Sequence, residues 1–500
     1  MTQLGSFPGG LLLDGQKRRS TQTAIRTTPI SKKLILPMQQ HIGEAAQEVV
    51  SIGDKVLKGQ KIAQANGHMS VCLHAPSSGT VTAIDKQPVP HPSGLSAPCI
   101  TIETDGEDRW IKRQGVADYS QLSDHEIRQR IRDAGIVGLG GAGFPSFIKL
   151  NPGIHHVIDT LILNGAECEP YITCDDMIMR ERAKGIIEGI IIMRYALRVT
   201  QCIIAIEDNK PEAIVAMESA LEKYPETDTI KVVVIPTRYP TGSEKQLIEV
   251  ITQKQVPKNG LPLDLGIVLH NVATAYAIGR AIIHGEPLIS RIVTVTGTDV
   301  KHAGNCETLF GTPISELLNF CNTHRHKDVP FVMGGPMMGY NLTADDLPVI
   351  KTSNCILVGV DNTSHQSTAM PCIRCGDCAV ACPASLLPQQ LYWYSRAKDL
   401  DKTREYNLFD CIECGCCSYV CPSEIPLVDY FRFAKTEIMH KQQEHQKSDI
   451  ARQRHENRQA RLEHEKAEKE RRHLQRKLAL AATQSNKEKA ATGNNVGENK

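Results

Sequence analysis

Residues 411–422 read CIECGCCSYVCP, and residues 372–383 read CIRCGDCAVACP. Both runs follow C-x2-C-x2-C-x3-C-P, with cysteines at 372, 375, 378 and 382 and again at 411, 414, 417 and 421. This is the spacing that binds [4Fe–4S] cubanes in pairs. Two-residue gaps let three thiolates curl round one face of a cubane from a single tight turn. The fourth lies out of reach and serves the neighbouring cluster. The pattern therefore assigns Cys372, Cys375, Cys378 and Cys421 to one cluster, and Cys411, Cys414, Cys417 and Cys382 to the other. Cys416 breaks the repeat, because its counterpart is Asp377, and it is the spare. Structural zinc also uses paired CxxC motifs, but two identical four-cysteine runs ending in CP fit it poorly.

The other eight cysteines are scattered from Cys72 to Cys355 and read as small buried hydrophobes. Seventeen cysteines in a chain with no secretory signal argue for thiols and metal ligands in a reducing compartment, not disulfides. Net charge is +1, which gives no overall field toward nucleic acid or acidic lipid, and nucleic acid is not an expected partner. That balance hides an asymmetry. Residues 434–500 hold 16 Lys or Arg against 10 Asp or Glu. No run approaches the ~18 apolar residues a membrane-spanning helix needs.

Five hundred residues suggest several domains. Over 30–110, VVSIGDKVLKGQKIAQANGHMSVCLHAPSSGTVTAI alternates β-branched residues with turn pairs. It resembles the biotinyl and lipoyl carrier domains, small β barrel-sandwiches. His68 stands where those carry the modified lysine, so a structural role is expected. Over 121–255, HEIRQRIRDAGI has helical spacing, while DTLILNGA, CIIAIED and IKVVVIPT read as buried strands of a parallel, Rossmann-like α/β sheet. RIVTVTG suggests a smaller mixed α/β unit over 256–350, which also holds the glycine-rich FVMGGPMMGY. LLPQQLYWYSRAKDLDKTREYN, between the cysteine runs, reads as helical, so 362–432 resembles the helical two-cluster modules of large oxidoreductases. In the tail over 434–500, Glu465 precedes Lys469 by four and Glu468 precedes Arg472 by four, as on a solvated helix. The last stretch, SNKEKAATGNNVGENK, reads as disordered.

Residues 138–150, GLGGAGFPSFIKL, carry four glycines that let backbone amides approach a ligand. The loop matches neither the dinucleotide fingerprint nor a P-loop, and alone it is a weak signal. NGAECEPY follows at 164–171, with Glu167 and Glu169 two apart. Together these resemble the flavin- and NADH-binding loops of the NADH-oxidising subunit of respiratory complex I. The order of parts resembles, more closely still, the C-subunit family of Rnf-type ion-translocating electron transport complexes of bacteria. The likeness covers roughly residues 30–432 and would make the unit over 256–350 a β-grasp-like domain.

The resemblance implies site residues. Gly138, Gly140, Gly141 and Gly143 would wrap the FMN phosphate and ribityl chain, with Lys149 balancing charge and Phe144 against the NADH adenine. Asn164 would bond the flavin, and Glu167 and Glu169 would be the catalytic acids, Glu169 holding the nicotinamide end. Tyr239, Gly242 and Glu244 of YPTGSEKQL, and Asn271 of HNVAT, would contact flavin. Leu139, Ala166 and Ser243 depart from that pattern, each removing a polar contact. The implied role is electron entry, from NADH through FMN to two [4Fe–4S] clusters and on to membrane-embedded and iron–sulfur subunits of the same complex. The implied location is peripheral, on the cytoplasmic side of the bacterial inner membrane. The alternatives are a non-catalytic iron–sulfur wiring protein and one component of a soluble NADH dehydrogenase or hydrogenase.

Overall fold

The computed structural model describes residues 4–153, 156–224, 229–258, 260–324, 331–360 and 368–493. Two units are distinguished, Met1–Phe431 and Arg432–Lys500. Within the first, strands Lys33–Pro37, Ser96–Thr104, Gly79–Pro88 and Lys55–Val56 form an antiparallel sheet in that order. Gln47–Glu48, Lys61–Gln64 and Leu73–His74 form a second. Apolar alternation drives them together: Leu34 and Leu36 face inward and pair with Ile102 and Ile100, all four fully buried. The result is a barrel-sandwich domain. His68, at the position of the missing lysine, lies edge-to-face against Phe147 with ring centroids 6.4 Å apart.

The α/β part alternates β1 (Thr160–Gly165), α1 (Cys174–Leu197), β2 (Gln201–Glu207), α2 (Pro211–Leu221), β3 (Ile230–Ile235), α3 (Glu244–Thr252), β4 (Ile267–Asn271) and α4 (Val272–His284). The strands pair in the order β3-β2-β1-β4, all parallel. Leu161, Ile162 and Leu163 of β1 are all fully buried, as a central parallel strand covered on both faces requires. Each such side chain contributes about 1.5–3 kcal/mol of burial. The expected boundary at 255 is corrected, since β4 and α4 belong to this sheet. At 5 residues, β4 is too short to announce itself by periodicity, and its place in the sheet comes from pairing with β1.

A mixed six-stranded sheet follows, built from Ser290–Gly297, Gly304–Leu309, Phe331–Met333, Tyr340–Asn341 and Cys355–Val358. Its sixth strand is Arg26–Thr27, paired in parallel with Gly304–Leu309. The expected span of 256–350 is thus corrected at both ends, because one edge strand comes from far away in the chain. Between the cysteine runs lie helices Pro388–Arg396 and Leu400–Glu405. The expected start of that module at 362 lies outside the described residues.

The second unit is helical, part of the helix Leu427–Gly493. Glu468 pairs with Arg472 at 3.0 Å, whereas Glu465 pairs with Arg461 instead of Lys469, at 3.8 Å. Disorder from 485 onward is corrected as far as 493: the helix runs on through SNKEKAAT, which holds no Gly or Pro, and ends at Gly493. Residues 494–500 lie outside the described residues. No described helix is long and apolar enough to cross a membrane. From Met439 to Lys489 the helix is almost wholly exposed, so it buries little apolar area. Truncation after His440 is expected to leave iron and flavin content per chain unchanged, as measured by metal analysis and flavin fluorescence.

Candidate functional site

Strands β2 and β3 lie on one side of β1, and β4 lies on the other. The carboxyl ends of β1 and β4 open side by side onto a crevice, the usual place for a ligand in an open parallel α/β sheet. That crevice is a cleft of about 450 Å³. Asn164, near the end of β1, is in register with Asn271, the last residue of β4. Asn164 donates to the Gly242 carbonyl at 2.8 Å and accepts from the Ala166 amide at 3.1 Å. Asn271 caps α4, accepting from the Ala273 amide at 2.9 Å, and donates to Asp175 Oδ2 at 2.5 Å. Both asparagines thus shape the walls as well as line them.

The glycine loop crosses the mouth. It is pinched shut where the Gly138 amide donates to the Phe144 carbonyl (2.8 Å) and the Gly143 amide to the Gly138 carbonyl (3.2 Å). The Leu139 amide donates to Thr274 Oγ1 on α4 at 2.9 Å, and Arg291 donates to the Leu139 carbonyl at 3.0 Å. The amides of Gly140, Gly141 and Ala142 find no acceptor among the described residues. Gly141 has φ +108°, and a Cβ there would project into open space. A cradle with unmet donors suits an anionic, phosphate-bearing group.

The acidic loop does not continue β1, which ends at Gly165, and Glu167 sits at φ +51°. Residues two apart on a strand would share a side, but off the strand the two glutamates part. Glu167 turns to the N-terminus of α1 and accepts from the Asp175 and Asp176 amides at 2.7 and 3.1 Å, a helix-capping role. Glu169 turns the other way. Its Oε1 accepts from the Met337 and Met338 amides at 2.7 and 3.0 Å, and burial raises its pKa. Asp175 Oδ1 is buried with no partner among the described residues. Burial, and then the neighbouring Glu167, push the Asp175 carboxyl up to about 7. Two carboxyls with raised pKa values in one cleft make it a candidate functional site.

Of the residues singled out from sequence, Gly140, Gly141, Asn164, Glu167, Glu169, Tyr239, Gly242 and Asn271 line the cleft. Gly138, Gly143, Phe144, Lys149 and Glu244 do not. Lys149 is ion-paired with Glu244 at 2.6 Å and donates to the Leu269 carbonyl, so its charge is met within the protein. Sequence reasoning missed Cys168, Asp175 and the wall formed by Met333–Tyr340. The signal for that wall was its paired glycines. Gly335 has to be glycine, because a Cβ would lie 2.1 Å from Glu169 Cγ.

The cysteine runs line two further cavities. One is walled by Cys372, Cys375, Cys378 and Cys421, and the other by Cys382, Cys411, Cys414 and Cys417. Cys416 lines neither and is buried against Tyr239, Ala381 and Cys414. Local strain repeats between the runs: Arg374 and Glu413 have φ of 61° and 58°, and Gly376 and Gly415 have 89° and 81°. Four thiols round a hollow, twice over, suit two cubanes. Cys414 and Ile412 also line the cleft, and Tyr239 donates to the Cys414 carbonyl at 2.6 Å. One cysteine cavity therefore abuts the cleft directly.

The family model described as the Nuo51 FMN-binding domain matches residues 131–280, and that of the 4Fe-4S dicluster domain matches 371–425. The RnfC barrel sandwich hybrid domain matches 5–107. The C subunit of the ion-translocating oxidoreductase complex of Serratia proteamaculans is 48% identical over 96% of this chain and 67% of its own length. The protein of that name from Pseudomonas aeruginosa is 48% identical over 92% of this chain and 59% of its own. That from Vibrio cholerae is 46% identical over 95% and 61%. The chain thus spans between 59% and 67% of the length of these relatives. With a barrel-sandwich domain, an FMN-binding domain and a dicluster domain in that order, the chain belongs to the C-subunit family of ion-translocating oxidoreductase complexes.

Proposed function

We propose that this chain is an electron-entry subunit, taking electrons from NADH at an FMN held in the cleft and delivering them to two [4Fe–4S] clusters. The observation that carries the reading is the shared wall: Ile412 and Cys414 belong both to the cleft and to the neighbourhood of one four-cysteine cavity. Bound FMN would supply the conversion between a two-electron nicotinamide and one-electron clusters. The unmet amides of Gly140–Ala142 would receive its phosphate. Asp175 Oδ1, the buried acceptor without a partner, would take a hydrogen bond from a bound donor group. Glu169 holds the Met337–Met338 turn over the cleft and would orient the carboxamide of a nicotinamide.

Cys411, Cys414, Cys417 and Cys382 would hold the cluster nearer the cleft, and Cys372, Cys375, Cys378 and Cys421 the farther one. The farther cavity opens outward, with Cys375 exposed and Ile373 68% exposed beside it. An apolar rim at an open cluster suits docking of the next electron carrier, an iron–sulfur or membrane-embedded subunit of the same complex. On this reading the chain sits peripherally on the cytoplasmic side of the inner membrane.

The deciding experiment is anaerobic titration of the reconstituted protein with NADH. Flavin absorbance that bleaches supports electron entry, whereas an iron–sulfur shoulder alone would leave only the wiring reading. Gly141→Val should lose FMN while keeping iron, because a β-branched residue at φ +108° is strained and fills the cradle. Retained flavin in that variant would move the phosphate elsewhere.

Changing any of the eight assigned cysteines to serine should cost about four irons per chain, since a missing thiolate opens an iron of the cubane. Cys416→Ser should keep its full complement, and loss of iron there would show the wrong spare. Glu169→Gln should raise the NADH needed for half-bleaching about tenfold with FMN content unchanged, because the amide oxygen keeps the two backbone bonds while an NH2 donor replaces the second acceptor oxygen and the charge is lost. Unchanged NADH titration would remove Glu169 from the nicotinamide end.

A further inference from the structure

From the position of Lys17 we infer that residues 5–20 form a strap that locks the acidic loop and one cysteine run together, with Lys17 as the positioning residue of the cleft. The inference rests on the reading of the cleft given above. The strap belongs to none of the sheets. It runs across the flavin domain, where the Gly5 amide donates to the Val250 carbonyl at 2.7 Å, and then meets the first cysteine run, where the Gly10 amide donates to the Ala381 carbonyl at 3.0 Å. Gly9 lies at φ +59°, and a Cβ there would fall 2.6 Å from the Cys382 backbone. No other residue type fits so close an approach. Leu11 then pairs with Tyr239 as an antiparallel bridge, donating and accepting at 2.8 Å. Leu11 and Leu13 pack on the cluster of Tyr239, Ala381, Cys414 and Cys416.

The strap ends on the acidic loop. The Tyr171 amide donates to the Gly15 carbonyl at 2.7 Å, and Ser20 Oγ lies 2.8 Å from Thr173 Oγ1. Between them, Lys17 Nζ donates to the carbonyls of Glu167 (2.6 Å), Glu169 (2.8 Å) and Ile172 (2.6 Å). An ammonium has three donors, and all three are spent on one loop. That loop needs the support. Glu167 and Tyr171 both adopt left-handed φ, at 51° and 70°, which non-glycine residues hold only when their surroundings dictate it. Lys17 grips the backbone of the same two glutamates whose carboxylates point apart, one to α1 and the other to the Met337–Met338 turn. A lysine contributed from outside the flavin sheet therefore sets where Glu169 stands in the cleft.

Lys17→Met in the full chain tests this, with hydrogen exchange read on the protein as purified. Amides of residues 167–173 should exchange about tenfold faster, with the rest of the flavin domain as in wild type. NADH for half-bleaching should rise about tenfold while the bleaching rate at saturating NADH stays within about twofold, with iron and flavin content unchanged. Wild-type exchange in that loop, or faster exchange spread over the whole domain, overturns the positioning role. Should Lys17→Met fail to fold, Ser20→Ala decides, since it removes one bond of the same strap. Faster exchange confined to 167–173 sustains the inference, and any other pattern sinks it. If wild-type flavin does not bleach with NADH, the electron-entry reading falls while the exchange result still judges the strap.

Discussion

The parallel pairing that sets Asn164 beside Asn271 is the constraint on which the site depends. The two adjacent strands end together, and the helices that follow them, α1 and α4, pack on each other with Gly189 against the Ala275 backbone, so loops from elsewhere close the space beyond the strand ends. Two of the walls are tied to these strand ends. The glycine loop is bound to Thr274, in the first turn after Asn271. The Met333–Tyr340 wall is bound to Glu169, five residues after Asn164. The second cysteine run reaches the cleft through Tyr239. A shift of one residue in the β1–β4 register would separate the glycine loop from the Met333–Tyr340 wall.

Charge is concentrated under the acidic loop, and burial makes its balance exacting. Lys210 and Glu207 form a fully buried pair at 2.6 Å beside Lys17 and Glu167. Lys17 meets three part-buried carbonyls of one loop, so its loss would loosen that loop first. Coulombic attraction alone does not explain the arrangement, because desolvation is the largest influence on both Lys17 and Glu169 and opposes the charged form of each. Directed hydrogen bonds hold the loop, and the charges are tolerated because those bonds satisfy them.

The cysteine module illustrates local coding. Identical spacing in the two runs yields the same left-handed positions and the same one-turn helices, Asp377–Val380 and Cys416–Tyr419. The exchange of fourth cysteines between cavities was legible from spacing, because three thiols on one turn leave no room for a fourth nearby. Why Cys416 is a cysteine was not legible. It fills a buried position against Tyr239 and Ala381, a packing role that no spacing rule encodes.

Short-range chemistry was readable from the sequence alone: the cluster runs, the buried strands, the glycine loop and the barrel-sandwich alternation each rest on residues within about one element of one another. Tertiary structure decided the remainder. The fate of Glu167 as a helix cap and of Glu169 as an anchor turned on where β1 stops, which is set by pairing with β2 and β4. Lys149 went to Glu244 instead of the cleft, and the strand Arg26–Thr27 joined Gly304–Leu309 from the far end of the chain. Lys17 gave no signal, because its three acceptors are backbone carbonyls that every residue type carries. Periodicity records which face of an element is buried, but the partner of a single polar group is chosen by chain topology, which brings distant residues within a hydrogen bond of one another.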